Sequence, residues 1–118
     1  MLTTNKLVRS FLVNDNQIAI RNLLGLAMKA GKLVLGTGPT LDAIRQEKVQ
    51  VVFFPSDGGK SQAKKFQDKT QFYHVQLVQD FDRDTLSQAI GANRSVFGVS
   101  DQGFSKKIKQ LLIEKERN

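Results

Sequence analysis

Apolar positions along the chain switch between two periods, and the switches mark the elements. From Gln17 to Ala30 the apolar residues Ile20, Leu23, Leu24 and Ala27 fall at helical spacing, while Arg21, Gly25 and Lys29 line another face. Asn14 or Asn16 is placed to cap this helix, and Gly31 stands where a helix stop belongs. Lys32 to Leu35 is a short predicted strand. Gly36-Thr37-Gly38-Pro39 follows, with Pro39 expected at the first position of a helix that runs to about Gln46 and buries Leu41 and Ile44. Val49 to Phe54 is the strongest strand pattern, β-branched and aromatic and apolar on both faces, ended by Pro55-Ser56-Asp57-Gly58-Gly59.

Four more segments complete the pattern. A helix is predicted from Lys60 to Thr70 with Ala63 and Phe66 inward, then a strand from Tyr73 to Val78 that contains His74. Asp82 caps a helix ending at Gly91, with Phe81 placed to staple onto Leu86. A strand over Ser95–Val99 precedes a last helix, Phe104 to Lys115, with Phe104, Ile108, Leu111 and Leu112 on one face. Alternation of this kind predicts an α/β fold, a three-layer α/β/α sandwich with helices on both faces of the sheet. Residues 1–16 show no clear periodicity and are expected to be a mobile arm. Residues 17–118 are expected to form one domain, a length of chain that buries a sufficient core without staples.

Composition narrows the chemistry. The 118 residues hold no cysteine, which excludes disulfides, thiolate metal sites and a cysteine nucleophile. No apolar run approaches the roughly 20 residues of a membrane span, and nothing resembles a secretory signal, so no membrane role and a cytoplasmic setting are expected. Eighteen Lys and Arg against eleven Asp and Glu give a net charge of +7, with a pI near 9.9. That surplus suits a polyanionic partner, nucleic acid before membrane; the other reading is a charge that only keeps the chain soluble.

Most motifs that suggest catalysis fail on inspection. Gly59-Lys60-Ser61 follows the best strand, but a phosphate-wrapping P-loop needs a glycine where Phe54 stands, and Asp57 would repel phosphate. Gly36-x-Gly38 lacks the third glycine of a dinucleotide fingerprint, its place taken by Leu41. His74 is the only histidine and has no convergent ligands or nucleophile, so it is expected as a packed or edge residue. No enzyme activity, metal or cofactor is expected. What remains is a set of basic residues at or just after strand ends, where ligand loops of α/β folds gather: Lys32, Lys60, Lys64, Lys65 and Arg94.

Longer stretches carry a family pattern. Leu23-Leu24-Gly25-Leu26-Ala27-Met28-Lys29-Ala30-Gly31-Lys32-Leu33-Val34-Leu35-Gly36 resembles the opening of the small kink-turn-RNA-binding ribosomal proteins of the L7A/L30 type, and within them a bacterial, YlxQ-like branch. Asp42-Ala43-Ile44-Arg45, Val51-Val52-Phe53-Phe54, Ala89-Ile90-Gly91 and Val96 to Phe104 follow in the family's order, so the resemblance spans about residues 17–113. It implies a four-stranded mixed sheet and binding of a sharply bent RNA internal loop, ribosomal RNA included. The family reads that RNA with a glycine-threonine-asparagine-glutamate turn and a lysine three positions on. Here Gly36 and Thr37 match, but Gly38, Pro39 and Asp42 replace the three remaining readers, and the loop Ala92-Asn93-Arg94-Ser95 is short and lacks the family's apolar stretch. The resemblance therefore implies phosphate contacts from the basic residues, backbone contacts from Gly36, Thr37 and Gly38, and weakened side-chain readout. An adaptor of the same fold that has lost RNA recognition is the alternative.

Overall fold

The computed structural model describes residues 15–117, with side chains to residue 114. The expected arm lies outside the described residues except for Asp15 and Asn16, which open the first helix. In chain order the elements are α1 (Asp15–Lys29), β1 (Leu33–Leu35), α2 (Thr37–Arg45), β2 (Val51–Phe53), α3 (Lys60–Phe72), β3 (Gln76–Val78), α4 (Arg83–Ile90), β4 (Phe97–Val99) and α5 (Gln102–Arg117). The strands form one mixed sheet in the order β1-β4-β2-β3. β4 runs antiparallel to β1 and β2, and β2 is parallel to β3 across the α3 crossover.

Alternation along these short strands divides the core into two layers. Val51, Phe53, Val78, Phe97 and Val99 turn to the face covered by α1, α4 and α5, where they meet Ile20, Leu24, Leu86 and Ile108. Val52 and Leu77 turn to the face covered by α2 and α3, with Leu41, Ile44 and Phe66. The three-layer sandwich expected from the pattern is the observed architecture. Phe53 and Phe97 are partners in register and stack with centroids 5.4 Å apart. Phe81 joins them at 6.2 Å from Phe53, and both Phe81 and Leu86 are buried in this layer, as the staple required.

Several boundaries differ from the sequence expectation. Helix α2 starts at Thr37 with Gly36 as its cap, and the amide of Thr40 donates to the carbonyl of Gly36. Pro39 is therefore the third helical residue rather than the first, still inside the turn whose amides have no intrahelical acceptor. Asp42 consequently lies beyond the first turn, paired with Arg45 at 3.1 Å on the surface. Asn16 is inside α1 and donates to the carbonyl of Leu111. Helix α3 continues to Phe72, and His74 lies in the turn after it instead of in a strand. His74 is exposed with φ 58°, its amide donates to Gln71 and the amide of Val75 to Thr70. This is the Schellman arrangement with histidine in the place glycine usually takes. Glu47, at φ 56°, ends α2 in the same way.

Aspartates cap the starts of α4 and α5. The Asp82 carboxylate accepts from the amide of Thr85 at 2.8 Å, and the Asp57 carboxylate accepts from the amide of Arg83 at 2.9 Å, so α4 begins between two acids. The Asp101 carboxylate accepts from the amide of Phe104 at 2.8 Å at the start of α5.

Gly98 faces the α2/α3 layer opposite Val34 and Val52. A Cβ there would come within 2.9 Å of Cγ1 and 3.2 Å of Cβ of buried Val49. Gly98→Ala should cost about 1–3 kcal/mol by overpacking. Combined with Val49→Ala it should cost less than the sum of the two single changes, because the second removes what the first collides with. Urea denaturation of the four proteins measures this, and strictly additive costs would refute the contact.

Hydrogen bonds from Thr85, its side chain and then its amide, hold the Asp82 carboxyl below the usual carboxylate range. A group whose folded pKa is lowered stabilises the fold above its unfolded pKa, and that contribution is lost as the pH falls through the folded value. Asp82→Asn keeps an acceptor without a titrating group. Its stability should decline less than the parent's between about pH 5 and pH 2; superimposable acid-denaturation profiles would show that the carboxylate charge adds nothing to the cap.

Candidate nucleic-acid interface

Strand direction decides which sequence-predicted residues can act together. β1, β2 and β3 run the same way and β4 runs against them, with Leu35 beside Phe97, Phe97 beside Phe53 and Phe53 beside Val78. The ends of the first three strands and the start of β4 therefore form one edge of the sheet. The turn Gly36-Thr37-Gly38, the loop leading to Lys60 and the loop carrying Arg94 all leave from that edge. The amide of Gly36 donates to the carbonyl of Val96 at 2.8 Å, tying the first and last of these segments together.

Gly36 has φ 97° and ψ 159°, a backbone region that essentially only glycine enters. This conformation turns the chain directly from β1 into α2. With the Gly36 amide committed to Val96 and no amide hydrogen on Pro39, the start of α2 presents the N–H groups of Thr37 and Gly38. No side chain caps α2, and its first turn holds no acid. The same is true of α3, capped by Gly59 without a side-chain hydrogen bond and with no acid in its first turn. The contrast with α4 and α5 is one of chemistry. Those helices satisfy amides of their first turns with aspartates, whereas no side chain caps the positive dipole ends of α2 and α3.

Lys60 is the first residue of α3, and Lys64 and Lys65 follow one turn on, all exposed. Lys64 forms a surface pair with Asp68 at 3.5 Å. Arg94 is exposed in a tight loop whose own carbonyl accepts from the hydroxyl of Ser87 at 3.1 Å, and its guanidinium donates to the carbonyl of Asn93 at 2.9 Å. Asp57, expected to oppose phosphate near Lys60, is turned instead onto the start of α4.

Lys32 does not join this group. It precedes β1, so it lies at the opposite edge, about 13 Å along the strand direction from Gly36 at roughly 3.3 Å per residue. Its carbonyl accepts from the amide and hydroxyl of Ser100, which follows β4. Being near a strand end in sequence did not say which end, and only the pairing with β4 supplies that. The structure therefore gathers Gly36, Thr37, Gly38, Lys60 and Arg94 on one edge, with Lys64 and Lys65 leading away from it along α3, and separates Lys32 from them. Among the described residues no group of three or more His, Asp and Glu side chains could hold a metal ion, and no helix is long and apolar enough to cross a membrane.

Known proteins share this arrangement of chain. The RNA-binding protein YlxQ of Enterococcus faecium is 42% identical over 97 residues, covering 82% of this chain and 94% of that protein. RNA-binding protein YlxQ of Bacillus subtilis (strain 168) is 37% identical over 91 residues, covering 76% and 91%. Among solved structures, a protein of unknown function from Bacillus halodurans superposes with a TM-score of 0.76 at 36% identity, over 80% of this chain and 96% of that one. A Giardia lamblia 15.5kD RNA binding protein superposes with a TM-score of 0.75 over 88% and 90%, and at 12% identity it shares the fold alone. The model of the Ribosomal protein L7Ae/L30e/S12e/Gadd45 family matches residues 18–109, and the chain belongs to that family.

Proposed function

We propose that this protein binds structured RNA, of which ribosomal RNA is one source, at the sheet edge where α2 and α3 begin, and that the RNA is sharply bent, as in a kink-turn. It acts without catalysis or cofactor, as a single cytoplasmic domain over residues 17–118. The observation that carries this reading is the pair of glycine-capped, acid-free helix starts on one edge, accompanied by Lys60 and Arg94. Two backbone anion sites fixed relative to each other suit two phosphates whose spacing is set by the bend in the RNA. The names of the YlxQ relatives support the same reading.

Side-chain readout is weakened at three positions. Gly38 offers no side chain, Pro39 offers neither donor nor acceptor at its place in the turn, and Asp42 brings a negative charge that its pairing with Arg45 only partly offsets. Affinity then rests on phosphate contacts, which position an RNA without specifying its sequence.

If three to five cations meet phosphates, log affinity falls with log salt at a slope of roughly −2 to −5. Replacing Lys60, Lys64 and Lys65 together by alanine should flatten that slope and weaken all RNAs alike, as read in filter-binding titrations from low to physiological salt. A slope near zero for the parent would remove RNA from the reading and leave a protein–protein adaptor of this fold.

Restoring the readers provides a separate test. Gly38→Asn, Pro39→Glu and Asp42→Lys together should tighten binding to a kink-turn RNA, at roughly 1–3 kcal/mol for each base contact regained, with little gain on a straight duplex of equal length. The stability cost is small. The broken Asp42–Arg45 pair is exposed and worth under about 1 kcal/mol, and glutamate suits the first turn of a helix. Equal gains on both RNAs would mean that only the charge had mattered and that no kink is recognised.

A further inference from the structure

The outer face of α3 carries a feature that the sheet edge does not use. Ser61, Lys65, Lys69 and Phe72 follow one another at spacings of four, four and three, so they share a face, with Lys64 and Asp68 alongside. These residues line a shallow groove that ends at Phe72 and Tyr73. Phe72 is 74% exposed, while the buried side of the same helix is supplied by Phe66 and Thr70. Core packing therefore gives no account of a phenylalanine at this position. Tyr73 beside it is packed against the α2/α3 core layer, and the two rings meet edge to face, centroids 4.9 Å apart at 75°. That geometry holds the Phe72 ring upright against an anchored neighbour and leaves at least one of its faces uncovered by Tyr73.

An exposed flat ring framed by cations is the arrangement that takes an unpaired base, with the ring stacking the base and the lysines meeting its flanking phosphates. Charge complementarity favours the same occupant, since α3 carries four lysines against one aspartate. The surface is also continuous with the proposed interface: Lys60 stands at that edge, and Phe72 lies twelve residues on, about 18 Å along the helix axis.

We propose that the outer face of α3 is a second RNA contact, for a single-stranded segment leaving the bent RNA, with one base stacked on Phe72 and neighbouring phosphates on Lys65 and Lys69. This rests on the RNA-binding reading above and adds to it the class of RNA preferred, a structured element with an unpaired flank.

The test uses the full chain and two RNAs, a blunt-ended kink-turn hairpin and the same hairpin with an unpaired tail of about six nucleotides, placed at either end in turn. The parent should bind one tailed RNA roughly tenfold more tightly than the blunt one, the size expected of one stacked base. Phe72→Ala should abolish that gain and leave affinity for the blunt RNA unchanged, and Lys69→Ala should reduce the gain. Phe72→Trp should retain it, and because the chain has no other tryptophan, its emission should be quenched by the tailed RNA and not by the blunt one. Thermal melts of the variants matching the parent's confirm that the exposed ring is not needed for folding. A tail that adds nothing at either end, or a Phe72→Ala loss equal on both RNAs, overturns the α3 contact while binding of the blunt hairpin upholds the interface at the sheet edge. Failure of the parent to bind either RNA overturns both.

Discussion

The arrangement depends on the register of β4. This strand lies between β1 and β2, antiparallel to both, and each of its three residues is paired on both sides. A slip of one residue would send Phe97 and Val99 into the α2/α3 layer and Gly98 into the other. Packing forbids this, because Phe97 stacks on Phe53 while Gly98 sits over Val49 with no room for a methyl group. The large residues of one layer and the missing side chain in the other therefore specify the same register from opposite directions. Once it is set, the ends of β1, β2 and β3 come level, and the starts of α2, α3 and α4 with them.

Of the helices that start at this edge, α4 is supplied with its own anions and the other two are not. Asp82 and Asp57 occupy the first amides of α4 from two different loops, so the edge is divided into a part already neutralised and a part open to an outside anion. The division agrees with the layers, since α2 and α3 share one face of the sheet and α4 lies on the other. An anion approaching the open part meets two dipole ends and the side chain of Lys60, whereas one approaching α4 meets carboxylates. Position on the edge and charge thus select the same half of the molecule.

Helix ends show how the fold reuses one device under different sequences. α1 and α4 finish on glycines with positive φ, Gly31 and Gly91, while α2 and α3 finish on Glu47 and His74 in the same left-handed conformation. The glycines announced their turns in the sequence. Glu47 and His74 did not, because neither residue type is a usual helix stop. The hydrogen bonds of the following amides back into the last turn, Lys48 to Ala43 and Val75 to Thr70, hold them there.

The sequence by itself determined the order of the elements, the two inward faces of the sheet and the glycine-rich entry to α2. Each of these is written in local periodicity or in a residue type with one mechanical use, as the outcome for Val49 to Phe54, Asp82 with Phe81, and Gly36 demonstrates. It also determined the positive charge and, through Leu23 to Gly36 and Val96 to Phe104, the family. Tertiary structure alone decided which of the basic residues stand together. Lys32 and Lys60 look alike in sequence, each directly after a glycine and close to a strand, yet they lie at opposite edges because Lys32 precedes β1 while Lys60 follows β2 across a loop, and only strand pairing aligns those ends. Tertiary structure likewise decided the exposure of Phe72. An aromatic at the end of an amphipathic helix is ordinarily read as core, but here Phe66 and Thr70 fill the buried stripe and the ring is left facing water.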